Sequence, residues 1–349
     1  MLFTIDQTET DVPHAGNKAR SDASSIMNQM GFEQIWVKCS ISTNPLNIIK
    51  DALSIPTALR NAINSMSKGD VFVIQFPYRC FMANTGKEIC RLAKKRGIKS
   101  IALIHDLDSI RYSESGGILS SIRNDLAFLR DFDKIIVHNE KMANYLYERG
   151  FSDKQIIELG LFDYLSSHKT VEQILPNKNL VSVAGNLSEG KAGYLYKLDE
   201  LNPAENLNIN LFGNGYTCTP PDFCKYKGTF PPKDLPSQIK TGFGLVWDGD
   251  SIETCHGEYG NYLRYNNPHK LSLYYSCGIP SIVWRESATA NFVEKTDSGI
   301  CIDSIRELPK ILDSLPESRY ASLKDNACLI QDKVTSGYFL KTALEEALA

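Results

Sequence analysis

Short runs rich in β-branched and aromatic residues alternate with longer amphipathic stretches along the whole chain, and that alternation leaves few architectures open. In the first half the runs Leu2 to Ile5, Gln34 to Val37, Val71 to Phe76, Ser100 to Ile104 and Lys134 to Val137 read as strands. Helical periodicity fills the gaps near 18–30, 46–66, 85–96, 118–130 and 139–149. Strands separated by helices need right-handed crossovers and make a parallel sheet, whose binding crevice lies at the carboxyl ends of the strands. A second series follows the polar stretch 166–179, with strands Leu180 to Ala184, Leu207 to Phe212, Cys224 to Lys227, Phe243 to Trp247, Ser281 to Trp284 and Ile300 to Ile302. Its helices are expected at 233–240, 268–276, 288–295, 304–314 and from 318 to the C-terminus. The expected fold is therefore α/β, with two consecutive Rossmann-like domains over 1–168 and 169–333. In the last stretch, 334–349, Phe339, Leu340, Ala343, Leu344 and Ala347 share one helical face, which must pack, and a crossing back to the first domain is expected.

The length of 349 residues agrees, being more than one hydrophobic core usually serves. With 38 basic and 41 acidic side chains the net charge is −3, so no global cationic field exists to grip nucleic acid, and any bound phosphate must be held locally. The nine cysteines are scattered without a C-x-x-C pair, which suggests neither a disulfide framework nor a zinc knuckle and fits a reducing cytoplasm. The first residues lack a basic segment followed by an apolar one, and no apolar run approaches the roughly 20 residues of a membrane span.

Chemistry-bearing residues are densest between Gly242 and Trp284. A buried strand ends at Trp247, and a Gly- and Tyr-rich loop closes on Asn266, Asn267 and Pro268, ahead of a helix with Lys270 in its first turn. A helix start offers unpaired N–H groups and partial positive charge, so an added ammonium makes a diphosphate site. The plainer alternative is a capping Asn267 and a solvated Lys270. The second domain opens similarly: a strand runs into Gly185, Asn186, Leu187, Ser188, Glu189, Gly190 and Lys191, a loop that is neither a dinucleotide fingerprint nor a Walker A motif. NAD and ATP readings lose their best support there. The next strand ends in Phe212, Gly213, Asn214 and Gly215, so Asn186, Lys191, Phe212, Gly213, Asp248, Asp250, Asn266, Asn267 and Lys270 are expected around one ligand. Asp248 and Asp250 form D-x-D, which holds a metal in some transferases; here a turn or sugar-contacting role is preferred, and no metal is expected.

In the first domain, Gly16, Lys18 and Arg20 follow the first strand and enter a helix, where Gly16 lets backbone approach a ligand. The strand ending at Ile104 runs into His105, Asp106 and Asp108, followed by Arg111. Neighbouring carboxylates in partial burial raise each other's pKa, so His105, Asp106 and Asp108 are candidate general bases. His138 and Asn139 end the next strand, and Asn139 also reads as a helix cap. Lys87, Arg91, Lys94, Lys95, Arg96 and Lys99 crowd one helix and its exit, against a single Glu88. A solvated face is the ordinary meaning of such a run; beside an acceptor site for a lipid-linked substrate it would dock on anionic headgroups, at about 1 kcal/mol per residue.

Five segments together resemble the bacterial β-1,6-galactofuranosyltransferase family: residues 243–276 (FGLVWDGDSIETCHGEYGNYLRYNNPHKLSLYYS), AGNLS at 184–188, AGNKAR at 15–20, LIHDLDSIR at 103–111 and FDYL at 162–165. The chain is similar, more distantly, to streptococcal enzymes that glucosylate N-acetylglucosamine on serine-rich adhesins. The resemblance implies a GT-B glycosyltransferase with an interdomain cleft, no required metal or cofactor, and a role in O-antigen assembly at the inner face of the cytoplasmic membrane. It implies that UDP-galactofuranose binds with its diphosphate near Asn267 and Lys270 and its uridine near Phe212 to Gly215. A lipid-linked saccharide acceptor would enter from the first domain, by Gly16, Lys18, Arg20 and Arg111. The implied reaction is one inverting displacement by a C6 hydroxyl, with His105, Asp106 or Asp108 as base. A donor of UDP-glucose or UDP-galactose, a non-catalytic sugar-nucleotide-binding partner, and a homo-oligomer stay open at this point; nucleic acid is not expected as a partner.

Overall fold

The computed structural model describes residues 1–7, 15–39, 45–78, 83–112, 122–166, 177–201 and 207–349. The first sheet has six strands, β1 (Leu2–Gln7), β2 (Glu33–Val37), β3 (Val71–Phe76), β4 (Lys99–Ile104), β5 (Lys134–Val137) and β6 (Ile156–Glu158), with helices α1 (Ala15–Gln29), α2 (Pro45–Ser65), α3 (Ala83–Arg96), α4 (Asp108–Arg111), α5 (Ile122–Leu129) and α6 (Glu140–Tyr147) between them. All neighbours are parallel, in the order β2-β1-β3-β4-β5-β6. Burial runs continuously from Phe72 to Phe76 and from Ser100 to Ile104, as strands covered on both faces require. The order reverses between β1 and β3, which places the crevice of this sheet at Gln7 and Phe76.

The second sheet has β7 (Leu180–Asn186), β8 (Asn208–Asn214), β9 (Cys224–Gly228), β10 (Phe243–Val246), β11 (Ser281–Trp284) and β12 (Gly299–Ile302), again all parallel, in the order β12-β11-β10-β7-β8-β9. Its helices are α7 (Glu189–Ala192), α8 (Gly257–Tyr262), α9 (His269–Ser276), α10 (Ala290–Thr296), α11 (Leu308–Ser314) and α12 (Glu317–Ser336), and α13 (Tyr338–Leu348) ends the chain. The reversal here lies between β7 and β10. Contacts divide the chain into one unit of Met1–Val12, Ala19–Leu159 and Phe339–Ala349 and another of Pro13–Lys18 and Gly160–Tyr338. Gly337, at φ +80°, ends α12 in the left-handed region that a glycine adopts without strain, and the chain turns there into α13. Leu340, Ala343, Leu344 and Ala347 of α13 are buried, and Lys99 of the first unit donates to the Leu348 carbonyl.

Several elements differ from the sequence reading. β6 is too short to stand out from its flanks, and it completes an edge. The helix expected at 233–240 is a single 3₁₀ turn, Leu235–Ser237, because Pro231, Pro232 and Pro236 each remove a backbone donor. The helix expected at 304–314 starts as a 3₁₀ turn under a Ser304/Glu307 capping box. The start of the 118–130 helix lies outside the described residues, as does the loop that precedes Ala15.

Candidate active site

In the second unit the ends of β7, β8 and β10 meet at the point where strand order reverses. Gly185 pairs with Gly213 and Asn186 with Asn214 across β7 and β8. Gly213, at φ +148°, lies so close that a Cβ would overlap the Gly185 carbonyl. Beyond the strands the Leu187 amide donates to the Asn214 carbonyl (2.8 Å) and the Gly249 amide to the Lys191 carbonyl (3.0 Å). The loops carrying Asn186, Lys191, Gly213 and Asp248 to Asp250 are thus tied together by backbone.

Lys270, in the first turn of α9, closes this floor. Its Nζ donates to Asp248 Oδ1 at 2.6 Å and to the Trp247 carbonyl at 3.2 Å. Both side chains are nearly withdrawn from solvent, at 12% and 7% exposure. An ammonium has three N–H donors, so two are committed and a third is left for a ligand oxygen. Gly185 makes room for the lysine stem: a Cβ there would stand 3.3 Å from Lys270 Cε.

The other expected donor-side residues take different places. Phe212 is buried against Phe230, so its ring is withdrawn from any ligand. Asn267 does not cap the helix; Pro268 occupies the N-cap, and Asn267 Nδ2 donates to the Gly160 carbonyl at 2.8 Å. Asn266 Oδ1 is buried and has no hydrogen-bond partner among the described residues. Asp250 is exposed and faces His256 Nδ1 at 3.1 Å, and Lys191 lies over the Tyr259 ring. Among the described residues no three His, Cys, Asp or Glu side chains are grouped to hold a metal ion.

Sequence reading gave FDYL at 162–165 no role, and the structure makes it the mount of α9. Ser272 Oγ donates to the Phe162 carbonyl (2.6 Å), His269 Nε2 meets the Asp163 carbonyl (3.2 Å), and the His269 ring stacks on Tyr164 at 4.9 Å. Burial pushes His269 down to about 4, with the Lys18 charge adding to the effect, so the ring stays neutral at physiological pH. Lys18 Nζ donates to the Leu165 carbonyl at 2.9 Å and lies over Tyr164, and so belongs to this mount. Gly16 lies in the first turn of α1.

In the first unit a buried polar chain starts at the β1/β3 reversal. Asp6 accepts from Thr4 Oγ1 and Gln75 Nε2 on one oxygen and from Ser24 Oγ and Gln34 Nε2 on the other. A carboxylate only accepts, so the Gln75 amide nitrogen faces Asp6 and its Oε1 faces His105 Nε2 at 2.7 Å. His105 therefore carries its proton on Nε2 when neutral, and Nδ1 is the ring's acceptor. Arg20 donates to the Gln75 and Pro77 carbonyls. Neither Asp6 nor Gln75 belongs to a recognisable motif; only their positions at adjoining strand ends could have marked them.

Asp106 pairs with Arg111 at 3.2 Å. Asp108 is raised above the usual carboxylate range, first by burial and then by the Asp106 charge, with Arg111 opposing. Asp125 of α5, absent from the sequence reading, is pushed up to about 6 by burial although it accepts from the Ser109 amide at 2.6 Å. His138 is structural: burial pushes it down to about 4 and its Nε2 meets the Ile104 carbonyl. Asn139 caps α6, accepting from the Lys141 and Met142 amides. In the basic run, Arg96 donates to the Met66 carbonyl and Lys99 to the Leu348 carbonyl, so these two are tied to the fold.

Two parallel six-stranded sheets with flanking helices, each closing a crevice at its own reversal, define the GT-B class of glycosyltransferases. A solved structure of this kind, that of Anabaena Alr3699/HepE in complex with UDP and glucose, superposes with a TM-score of 0.59 at 11% identity, covering 99% of this chain and 98% of the other. Residues 3–161 match the family "Glucosyltransferase 3-like, N-terminal domain" and residues 181–347 its C-terminal counterpart. The chain is 34% identical over 340 residues to the β-1,6-galactofuranosyltransferase WbbI of Escherichia coli (strain K12), across 96% of this chain and 94% of that one. It is 23% identical to glucosyltransferase 3 of Streptococcus gordonii over 95% of this chain and 93% of that one. The chain belongs to the bacterial β-1,6-galactofuranosyltransferase family and is built from glucosyltransferase 3-like domains.

Proposed function

We propose that this glycosyltransferase moves galactofuranose from UDP-galactofuranose to the 6-hydroxyl of an acceptor sugar, with inversion. The observation that carries the reading is 34% identity over nearly the whole chain to an enzyme whose name gives the transferred sugar and the linkage. The geometry supports it. The third N–H of Lys270 is the donor for a diphosphate oxygen, and Asp248 holds that ammonium in place before the ligand arrives. Fixed positive charge at the leaving diphosphate lowers the barrier without reorganisation at the moment of reaction. Asn186, Gly213, Asp250, Asn266 and Lys191 complete the donor side and Arg111 serves the acceptor side, whereas Lys18 and Arg20 hold the Leu165, Gln75 and Pro77 carbonyls of the protein itself. Among His105, Asp106 and Asp108, the raised Asp108 is the base best matched to taking a hydroxyl proton near neutral pH.

A lipid-linked saccharide in surface-polysaccharide assembly is the proposed acceptor. No helix among the described residues is long and apolar enough to cross a membrane. Lys87, Arg91, Lys94 and Lys95 are exposed on α3, and Leu46, Ile49 and Leu53 are exposed on the neighbouring α2, which suits peripheral contact with anionic lipid.

The test is product analysis with UDP-galactofuranose, UDP-glucose and UDP-galactose against an alkyl glucoside. A β-1,6-linked galactofuranoside formed only from the furanose donor is expected. Transfer from UDP-glucose alone would move the assignment to a glucosyltransferase, the second reading, which the family name of both domains favours. Binding of UDP without transfer from any donor would leave only a non-catalytic partner.

A further inference from the structure

Beside the Asp6–Gln75 chain the first unit contains a cavity of about 270 Å³, lined by one face of α1, the edge strand β2 and the ends of β1 and β3. Its size is near the small end of ligand pockets, suited to a single sugar ring rather than a nucleotide. Among the described residues, the charged side chains in its wall are Asp6 and Arg20. Asp6 already accepts from four donors, about the full capacity of a carboxylate, and Arg20 is turned to the Gln75 and Pro77 carbonyls. With those charges engaged in the protein itself, the wall has little preference for a phosphate or a cation.

The rim is of another kind. Ser21, Ser25 and Asn28 recur at helical spacing along α1, and Gln34 and Trp36 alternate onto one face of β2. Hydroxyls and amides both donate and accept, as a ring of sugar hydroxyls demands. Trp36 is 56% exposed, whereas Trp247 and Trp284 are 0% and 1% exposed. A large aromatic face held open on an edge strand, beside neutral bifunctional groups, matches a ligand with an apolar C–H face and a polar hydroxyl edge.

We infer that this cavity is a subsite for a neutral saccharide unit of the acceptor, with Trp36 as its stacking platform and Asn28 and Gln34 as its hydroxyl readers. The inference deepens the acceptor side of the proposed reaction and rests on that reading only for the word acceptor. It does not involve Lys270 or the donor loops.

Because the other two tryptophans are buried, quenching of intrinsic fluorescence by acrylamide reports Trp36. Titration of the whole chain with maltotriose and cellobiose should protect that emission saturably, and inorganic phosphate should not. By calorimetry W36A should weaken saccharide binding at least tenfold, W36F less than threefold, and N28A about threefold with the melting temperature unchanged. Protection by neither saccharide overturns the inference, as does protection by phosphate or binding unaltered in W36A. In transfer assays W36A should raise the KM for acceptor and leave that for donor; an unchanged acceptor KM would overturn the acceptor role. The binding measurements need neither donor nor turnover, so a failed galactofuranose assignment would leave them intact.

Discussion

Lys270 Nζ lies 2.6 Å from Asp248 Oδ1, just beyond the carboxyl end of β10 in the second sheet, with both groups almost fully buried. Removing one partner leaves a buried charge uncompensated, whereas removing both need not be costly. K270M should lower unfolding free energy by about 3–5 kcal/mol, and the K270M/D248N double variant should recover most of it. Urea denaturation measures the stabilities. UDP release should stay abolished in both variants, and a double variant that regained transfer would take Lys270 out of the phosphate site.

Asp108 titrates above the ordinary carboxylate range because of burial and the nearby Asp106 charge. A base must be deprotonated to act, so activity should fall as pH drops through the Asp108 pKa. D106N removes the second cause, and the acid limb should move to lower pH. D108N should cost about 10²–10⁴ in kcat and abolish that limb. An unmoved limb in D106N would assign the titration to another group.

Asp125 is held protonated up to about 6 in the folded chain, against a usual value of 3.8. Between these values the folded state binds more protons than the unfolded state, so stability falls as pH rises toward 6. D125N retains an acceptor for the Ser109 amide and carries no charge. It should match the parent near pH 4 and exceed it at pH 7–8 by on the order of 2 kcal/mol. Thermal melts at the two pH values measure the difference; equal gains at both would show that the carboxyl does not titrate in this way.

Gly213 brings β8 against the Gly185 carbonyl with no room for a Cβ. G213A should cost about 1–3 kcal/mol and weaken UDP binding, because the ends of β7 and β8 must part. Among the described residues no atom stands within 4 Å of where a Cβ on Gly190 would lie, and G190A should fall within about 0.5 kcal/mol of the parent. Calorimetric UDP titration of both variants separates a local from a general effect.

The alternation of strand and helix patterns was legible because period 2 and period 3.6 are properties of neighbouring residues. Among the described residues twelve strands form, and the expected runs lie on eleven of them; β6, with three residues, has too little length for a period to show. Proline density at 231–236 was the local signal against a helix there. Lys270 stood out because a helix start and a basic residue are adjacent in the chain. Asp248 could be seen as half of D-x-D, yet its pairing with Lys270 could not, since 22 residues separate the two.

Composition and periodicity were enough for class and organisation: a α/β chain with two doubly wound sheets, and loops of interest at their carboxyl ends. Which side chains meet at those ends was decided by parallel pairing, which brings Gly185 to Gly213 and Asp6 beside Gln75 across long stretches of chain. The charge states followed from the same step. Asp125 looks like any aspartate until packing removes water from around it, and the Phe212 ring looks open to a ligand until the core closes over it. Local pattern reports how each residue is presented to its neighbours in the chain, whereas desolvation and charge pairing depend on residues distant in it.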